Sequence, residues 1–160
     1  MSHIPNQIHQ TWNSALLPEQ GGTLHAAFHV ATDGMLLEAR NAERVALAVT
    51  VSRGSLVVEA PEDHIVLDVE DTYGVQFGGV HDLHITFGDF GTRIYLDGYQ
   101  AFACATNICP SKYAQAGVFH CANEAHIGVE RLECFSEAWT SERIQGSVPV
   151  PQPDIEFAAA

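Results

Sequence analysis

The sequence predicts an all-β protein, a two-sheet antiparallel β-sandwich of the jelly-roll kind with Greek-key connections. Two observations predict it. Apolar residues alternate with polar ones through most of the chain, and turn signals recur roughly every 8–12 residues, the spacing of a sandwich. The chain has 160 residues, which suits one domain. The organisation read from it is an N-terminal arm over 1–14, the sandwich over 15–145 and a proline-bearing tail over 146–160.

The elements follow from side-chain parity, since successive residues on a strand point to opposite faces. "NQIHQTWNSALL" near the start reads as a short helix or an irregular arm. In "TLHAAFHV", Leu24, Ala26, Phe28 and Val30 share one face, and Thr23, His25, Ala27 and His29 share the other. "HIVLDVE" and "DLHITF" alternate in the same way, which marks three half-buried strands with a polar side toward water. "VALAVTV" (45–51) and "SLVVEA" (55–60) are apolar on both sides and are expected as inner strands covered twice. Asp33-Gly34, Arg53-Gly54, Gly78-Gly79 and Asp97-Gly98 are among the turns. "SEAWTSERI" (136–144) reads as a turn or a single helical turn with Ser136 as its N-cap. Pro149, Pro151 and Pro153 keep the tail out of any central strand.

Charge narrows the partners. Twenty acidic residues face seven basic ones, a formal net charge of −13. Such a surface repels phosphate backbones and anionic lipid heads, so no nucleic acid and no membrane partner is expected. No apolar run approaches the ~20 residues of a spanning helix. The N-terminus lacks the basic and apolar regions of a signal peptide, which is expected of a cytoplasmic protein or a fragment of a secreted one. The terminal Ala-Ala-Ala fits the fragment. Four cysteines, Cys104, Cys109, Cys121 and Cys134, allow two disulfides in three connectivities, and reduced core thiols are the simpler reading.

The stretch "VHDLHITFGDFGTRIYLDGYQAF" resembles the signature hairpin of the concanavalin A-like lectin/glucanase superfamily, in its laminin G-like branch. His81 matches the His of that branch's Trp-His strand opening, and Tyr95, Leu96, Asp97 and Gly98 match its closing Tyr-hydrophobic-Asp-Gly; Val80 stands in place of the Trp. The opening strands from Gly22 and the segment "HIGVERLECFSEAWTSERI" are similar as well, so the resemblance spans roughly 22–145. It implies a jelly roll, often found beside sialidase and fructan-cleaving catalytic domains, that binds glycans, sometimes with calcium. Asp97 then marks a hairpin: with Gly98 it makes a type I′ pair, in which both residues take positive φ.

The expected function is a non-catalytic carbohydrate-binding or accessory module of a glycoside hydrolase, with a glycan as ligand and a catalytic domain as neighbour. The ligand-binding candidates are Tyr73, Gln76, Arg93, Tyr95, Tyr99, Gln100 and Asn107, an aromatic and amide stock for stacking on and hydrogen-bonding a sugar. Arg40, Arg53, Arg93 and Arg131 could clamp a carboxylated sugar bidentately. For calcium, which takes six to eight oxygens, the loop residues Asp33, Asn41 and Asp89 are candidates. The nine histidines show no convergent zinc spacing and read as surface or interstrand groups. Two alternatives stand beside this. One is a structural or oligomerising interaction domain. The other is a small glycanase using Asp68 and Glu70, which share a strand face roughly 6.5–7 Å apart, within the range of glycosidase carboxylate pairs.

Overall fold

A computed structural model describes residues 7–42, 44–53, 55–61, 63–68 and 79–148. Among the described residues, eleven strands form two antiparallel sheets. The six-stranded sheet is ordered β1 (Gln7–Asn13), β10 (Ala116–Ala122), β3 (Gly34–Asn41), β4 (Arg44–Ser52), β5 (Ser55–Ala60), β6 (Asp63–Asp68). The five-stranded sheet is ordered β11 (Ile127–Phe135), β2 (Gly21–Val30), β7 (Val80–Gly88), β8 (Gly91–Leu96), β9 (Tyr99–Cys104). β3 to β6 and β7 to β9 are consecutive hairpin ladders, and the chain crosses between the sheets elsewhere, as a jelly roll requires.

The core lies where the two sheets face each other. Leu37, Leu47, Val49, Val51, Leu56, Val58 and Phe119 of one sheet meet Leu24, Phe28, Leu83, Ile85, Phe87, Ile94 and Leu96 of the other, all fully buried. All four cysteines are free thiols. Burial pushes the thiols of Cys109, Cys121 and Cys134 up, to about 11, 12 and 12, so they behave as core side chains.

Three local expectations are corrected. Residues 7–13 are not a helix or a loose arm: they form edge strand β1, paired with β10 from Gln7↔Ala122 to Asn13↔Ala116. Trp12 explains the anchoring, because its ring is buried against Phe119 at 6.2 Å. The second correction is at the other end, where a helix, α1 (Ser141–Ser147), follows β11. Its N-cap is Thr140, whose side chain accepts from the Arg143 N–H, and not Ser136. The third concerns coverage. The outward positions of β4 and β5 are half-buried or exposed, whereas β7 is buried on both faces from His81 to Gly88.

The signature hairpin closes as its sequence suggests. Asp97 (φ 52°) and Gly98 (φ 91°) form the β8–β9 turn. The Asp97 carboxylate accepts from the backbone N–H of Asp82 at 2.9 Å and from His81 Nδ1 at 2.9 Å. The Asp97 N–H donates to the Asp82 carbonyl at 2.7 Å. The His and the Asp of the motif therefore hold the hairpin tip to the start of β7, and the turn is structural. Gly91 is required at the β7–β8 turn: its φ is 111°, and a Cβ there would lie 2.0 Å from the Cys104 carbonyl oxygen.

Candidate functional site

Because strands alternate, each sheet has an outer row that the core does not use. On the six-stranded sheet, register lines up His120, Glu38, Ala48, Glu59 and His64 across β10, β3, β4, β5 and β6. At the β4–β6 end of that face lies an open groove of about 450 Å³, lined by Thr50, Ser52, Arg53, Ser55, Val57, Glu59 and His64. This volume lies within the ~300–1,000 Å³ of small-ligand sites.

Each lining residue is placed by the hairpins. Thr50 pairs with Val57, Ser52 with Ser55, and Glu59 with His64. Ser55, Val57 and Glu59 are alternate residues of β5, so they share its outer face and span ~13 Å. Arg53 sits in the β4–β5 turn with φ 53°, and its N–H donates to Asp33 Oδ2 at 3.0 Å, which pins the turn from the β2–β3 connection. His64 Nδ1 lies 2.8 Å from Glu59 Oε2 and orients that carboxylate. The groove thus offers three hydroxyls, a guanidinium, an oriented carboxylate–imidazole pair and an apolar floor at Val57. Hydroxyls both donate and accept, and a guanidinium forks two donors.

The candidates singled out from sequence are not brought together here. Tyr73, Gln76 and Glu70 lie outside the described residues. Asp68 ends β6, where it pairs in register with Ser55. Arg93 stacks on Phe90 at 4.2 Å on the opposite sheet. Tyr95 is fully buried with its hydroxyl 3.0 Å from Ser141 Oγ, beneath α1, which removes it from the ligand surface. Tyr99 and Gln100 are exposed on edge strand β9 of the five-stranded sheet, not on the sheet that carries the groove. Asn107 is a loop brace: its amide donates to the Glu19 carbonyl at 2.7 Å and its Oδ1 accepts from the Cys109 N–H.

The calcium candidates are similarly dispersed. Asp33 pins Arg53, Asn41 donates to the Ala116 carbonyl, and Asp89 lies in the β7–β8 turn. Among the described residues no group of three or more His, Cys, Asp or Glu is placed to hold a metal ion. Sequence reading missed Thr50, Ser52, Ser55, Val57, Glu59 and His64. Their signal was the alternation of Ser55, Val57 and Glu59, obscured by Val57 on the outward side, which made β5 look covered twice.

The outer face of the five-stranded sheet is different. Register aligns Gln100, Tyr95, His84, His25 and Glu133 across it, and residues 136–148 lie over it. Thr23 Oγ1 donates to the Glu137 carbonyl at 2.8 Å and accepts from the Trp139 N–H at 2.9 Å. The Trp139 ring lies 4.3 Å from that of Phe135 and 5.9 Å from that of His84. Ile144 of α1 is fully buried.

No protein-family model matches the chain, and no curated protein matches it. Solved structures do. Trypanosoma rangeli sialidase aligns with a TM-score of 0.58 at 12% identity, over 79% of this chain and 22% of that one. A two-residue variant of human galectin-16 aligns with a TM-score of 0.60 at 12% identity, over 85% of this chain and 99% of that one. Botulinum neurotoxin type C, whose cell entry depends on interaction with two ganglioside molecules, aligns with a TM-score of 0.58 at 9% identity, over 87% of this chain and 38% of that one. The chain spans about a quarter of the length of the sialidases it matches. At these identities the likeness is one of fold. The two antiparallel sheets, their strand order and these neighbours give the chain the concanavalin A-like jelly-roll sandwich fold.

Proposed function

We propose that the chain is a carbohydrate-binding module that takes a glycan in the groove on the six-stranded sheet. The observation that carries this reading is the lining itself: Thr50, Ser52 and Ser55 hydroxyls, the Arg53 guanidinium and the Glu59–His64 pair stand around Val57 in an open groove of about 450 Å³. A sugar presents hydroxyls at its rim and C–H groups on its faces. Val57 supplies the apolar contact, and the polar groups supply directional hydrogen bonds without an enclosed pocket. The affinity is modest, because a hydrated ligand gives up water to bind an open surface. Structural neighbours that engage a ganglioside or a difluorosialic acid support the ligand class. A place beside a glycoside hydrolase catalytic domain belongs to the same proposal and is supported by the sialidases, in which the matched region is a fraction of a longer chain.

A glycan array in the presence of calcium and then of chelator tests the proposal. Binding to a defined glycan class, lost in Arg53→Ala and Glu59→Ala variants that retain the β-sheet circular dichroism, is the expected result. Silence on the array in both conditions, or binding unchanged in both variants, overturns it.

A further inference from the structure

The outer face of the five-stranded sheet holds a cluster that glycan binding does not use. His25 and His84, neighbours in register on β2 and β7, are stacked with ring centres 4.2 Å apart and planes 13° apart. His25 is held at both nitrogens, with Nε2 2.7 Å from Asp82 Oδ1 and Nδ1 2.9 Å from Glu133 Oε1. Burial opposes charge on this ring, but a carboxylate at each nitrogen favours the imidazolium and raises its pKa. His84 is the reverse: it is almost completely buried, and neither ring nitrogen has a hydrogen-bond partner. Trp139 closes over it, and its own Nε1 is likewise buried without a partner.

We propose that residues 136–148 form an acid-released strap, in which protonation of His84 lifts Trp139 and α1 from the five-stranded sheet and uncovers its outer face. The groups facing His84 set the sign. From β2 comes the His25 cation, and from β7 the Asp82 carboxylate. From β11 come Glu133 and, 3.9 Å from Glu133, Arg131. β8 brings the neutral Tyr95. The strap brings Arg143, stacked 4.2 Å from the Trp139 ring, with Glu137 as its ion-pair partner at 2.8 Å. Asp82 and Glu133 are both engaged by His25, so a second imidazolium stacked on the first meets a cation with no carboxylate of its own.

The titration follows. Burial, then the His25 charge, lowers the pKa of His84 from 6.5 to about 4. A base with a depressed pKa favours the closed state above 6.5, and that preference is lost as the pH falls toward 4. Burial also opposes charge on His25, but its bonds to Asp82 on β7 and Glu133 on β11 outweigh burial and raise its pKa, so it steadies the sheet itself on the acid side and does not drive opening. The bond from His25 lowers the pKa of Asp82, whose contribution is held until the pH drops below the ordinary carboxylate range. Between pH 6.5 and 4, His84 is the member of this cluster that drives opening, by up to about tenfold in the open-to-closed ratio per pH unit.

The test uses the whole chain in solution and reads the Trp139 indole N–H by NMR, with a soluble gadolinium chelate reporting exposure. The expected result is relaxation enhancement at Trp139 that grows from pH 6.5 to 4.5 while the amides of β4 and β5 remain protected, and that is abolished in His84→Phe, which keeps a ring in the stack without a charge. If the variant does not fold, the His84 ring signals of the unaltered protein are followed instead, and they must titrate with the Trp139 exposure. A Trp139 that stays shielded at pH 4.5, a His84→Phe chain that opens over the same range, a His84 midpoint apart from that of exposure, or loss of β4 protection together with the strap each overturns the proposal.

Discussion

The two outer rows of this sandwich are built from similar residues and have opposite fates. Across the six-stranded sheet the row runs His120, Glu38, Ala48, Glu59, His64. Across the five-stranded sheet it runs Gln100, Tyr95, His84, His25, Glu133. In the first, Glu59 and His64 stand in solvent beside an open groove; in the second, His25 and His84 are buried, with Trp139 against His84 and Ser141 of α1 against Tyr95. The same His–carboxylate chemistry is a ligand surface where water reaches it and a packed element where a strap excludes water. What decides between the two is the chain beyond β11, not the strand on which the residues lie.

If that contrast is right, substitutions under the strap are costly and substitutions in the groove are not. The largest effect is expected from Ile144→Ala, since Ile144 is fully buried; it should remove ~2–4 kcal/mol in urea unfolding. Val57→Ala, on the half-buried groove floor, should cost under ~1 kcal/mol by the same measurement. Thr23→Val sharpens the contrast, because it deletes the hydroxyl that serves both the Glu137 carbonyl and the Trp139 N–H. A loss of ~1–3 kcal/mol, with the strap amides losing protection first in hydrogen exchange, is expected.

Acid should also separate the faces. His84, lowered to about 4, makes stability fall as the pH drops from 6.5, by at most ~1.4 kcal/mol per unit, and His84→Phe should flatten that slope in unfolding titrations between pH 7 and 4.5. Smallest of all is Glu59→Gln. Its pair with His64 is solvent-exposed, so stability should change by no more than ~0.5 kcal/mol, while glycan affinity measured by titration falls roughly tenfold, the scale of one lost charge-assisted hydrogen bond.

Much of the fold was legible because parity is a strong signal. Leu24, Ala26, Phe28 and Val30 were placed on one face by alternation alone, and all four are buried. The Asp97-Gly98 turn was equally readable, since positive φ at two successive positions selects those residue types. The outer faces were read the wrong way round for a physical reason. Alternation separates inside from outside of a sheet, but not an outside facing water from one facing another segment of chain. His25, Asp82 and His84 read as the polar side of half-buried strands, yet all three are buried, with Trp139 of the returning chain against His84. Val57 looked covered because it is apolar, yet it floors an open groove. Tyr95 was credited with a ligand role for its residue type, and it lies beneath α1.

The most direct test of the groove as the binding surface is a backbone amide shift map of the uniformly labelled chain, titrated with the best glycan from the array. Shifts concentrated at Thr50, Ser52, Arg53, Ser55, Val57, Glu59 and His64, with the amides of β7 and α1 unmoved, are predicted. Shifts centred on the five-stranded face, or on β9 around Tyr99 and Gln100, would contradict the assignment.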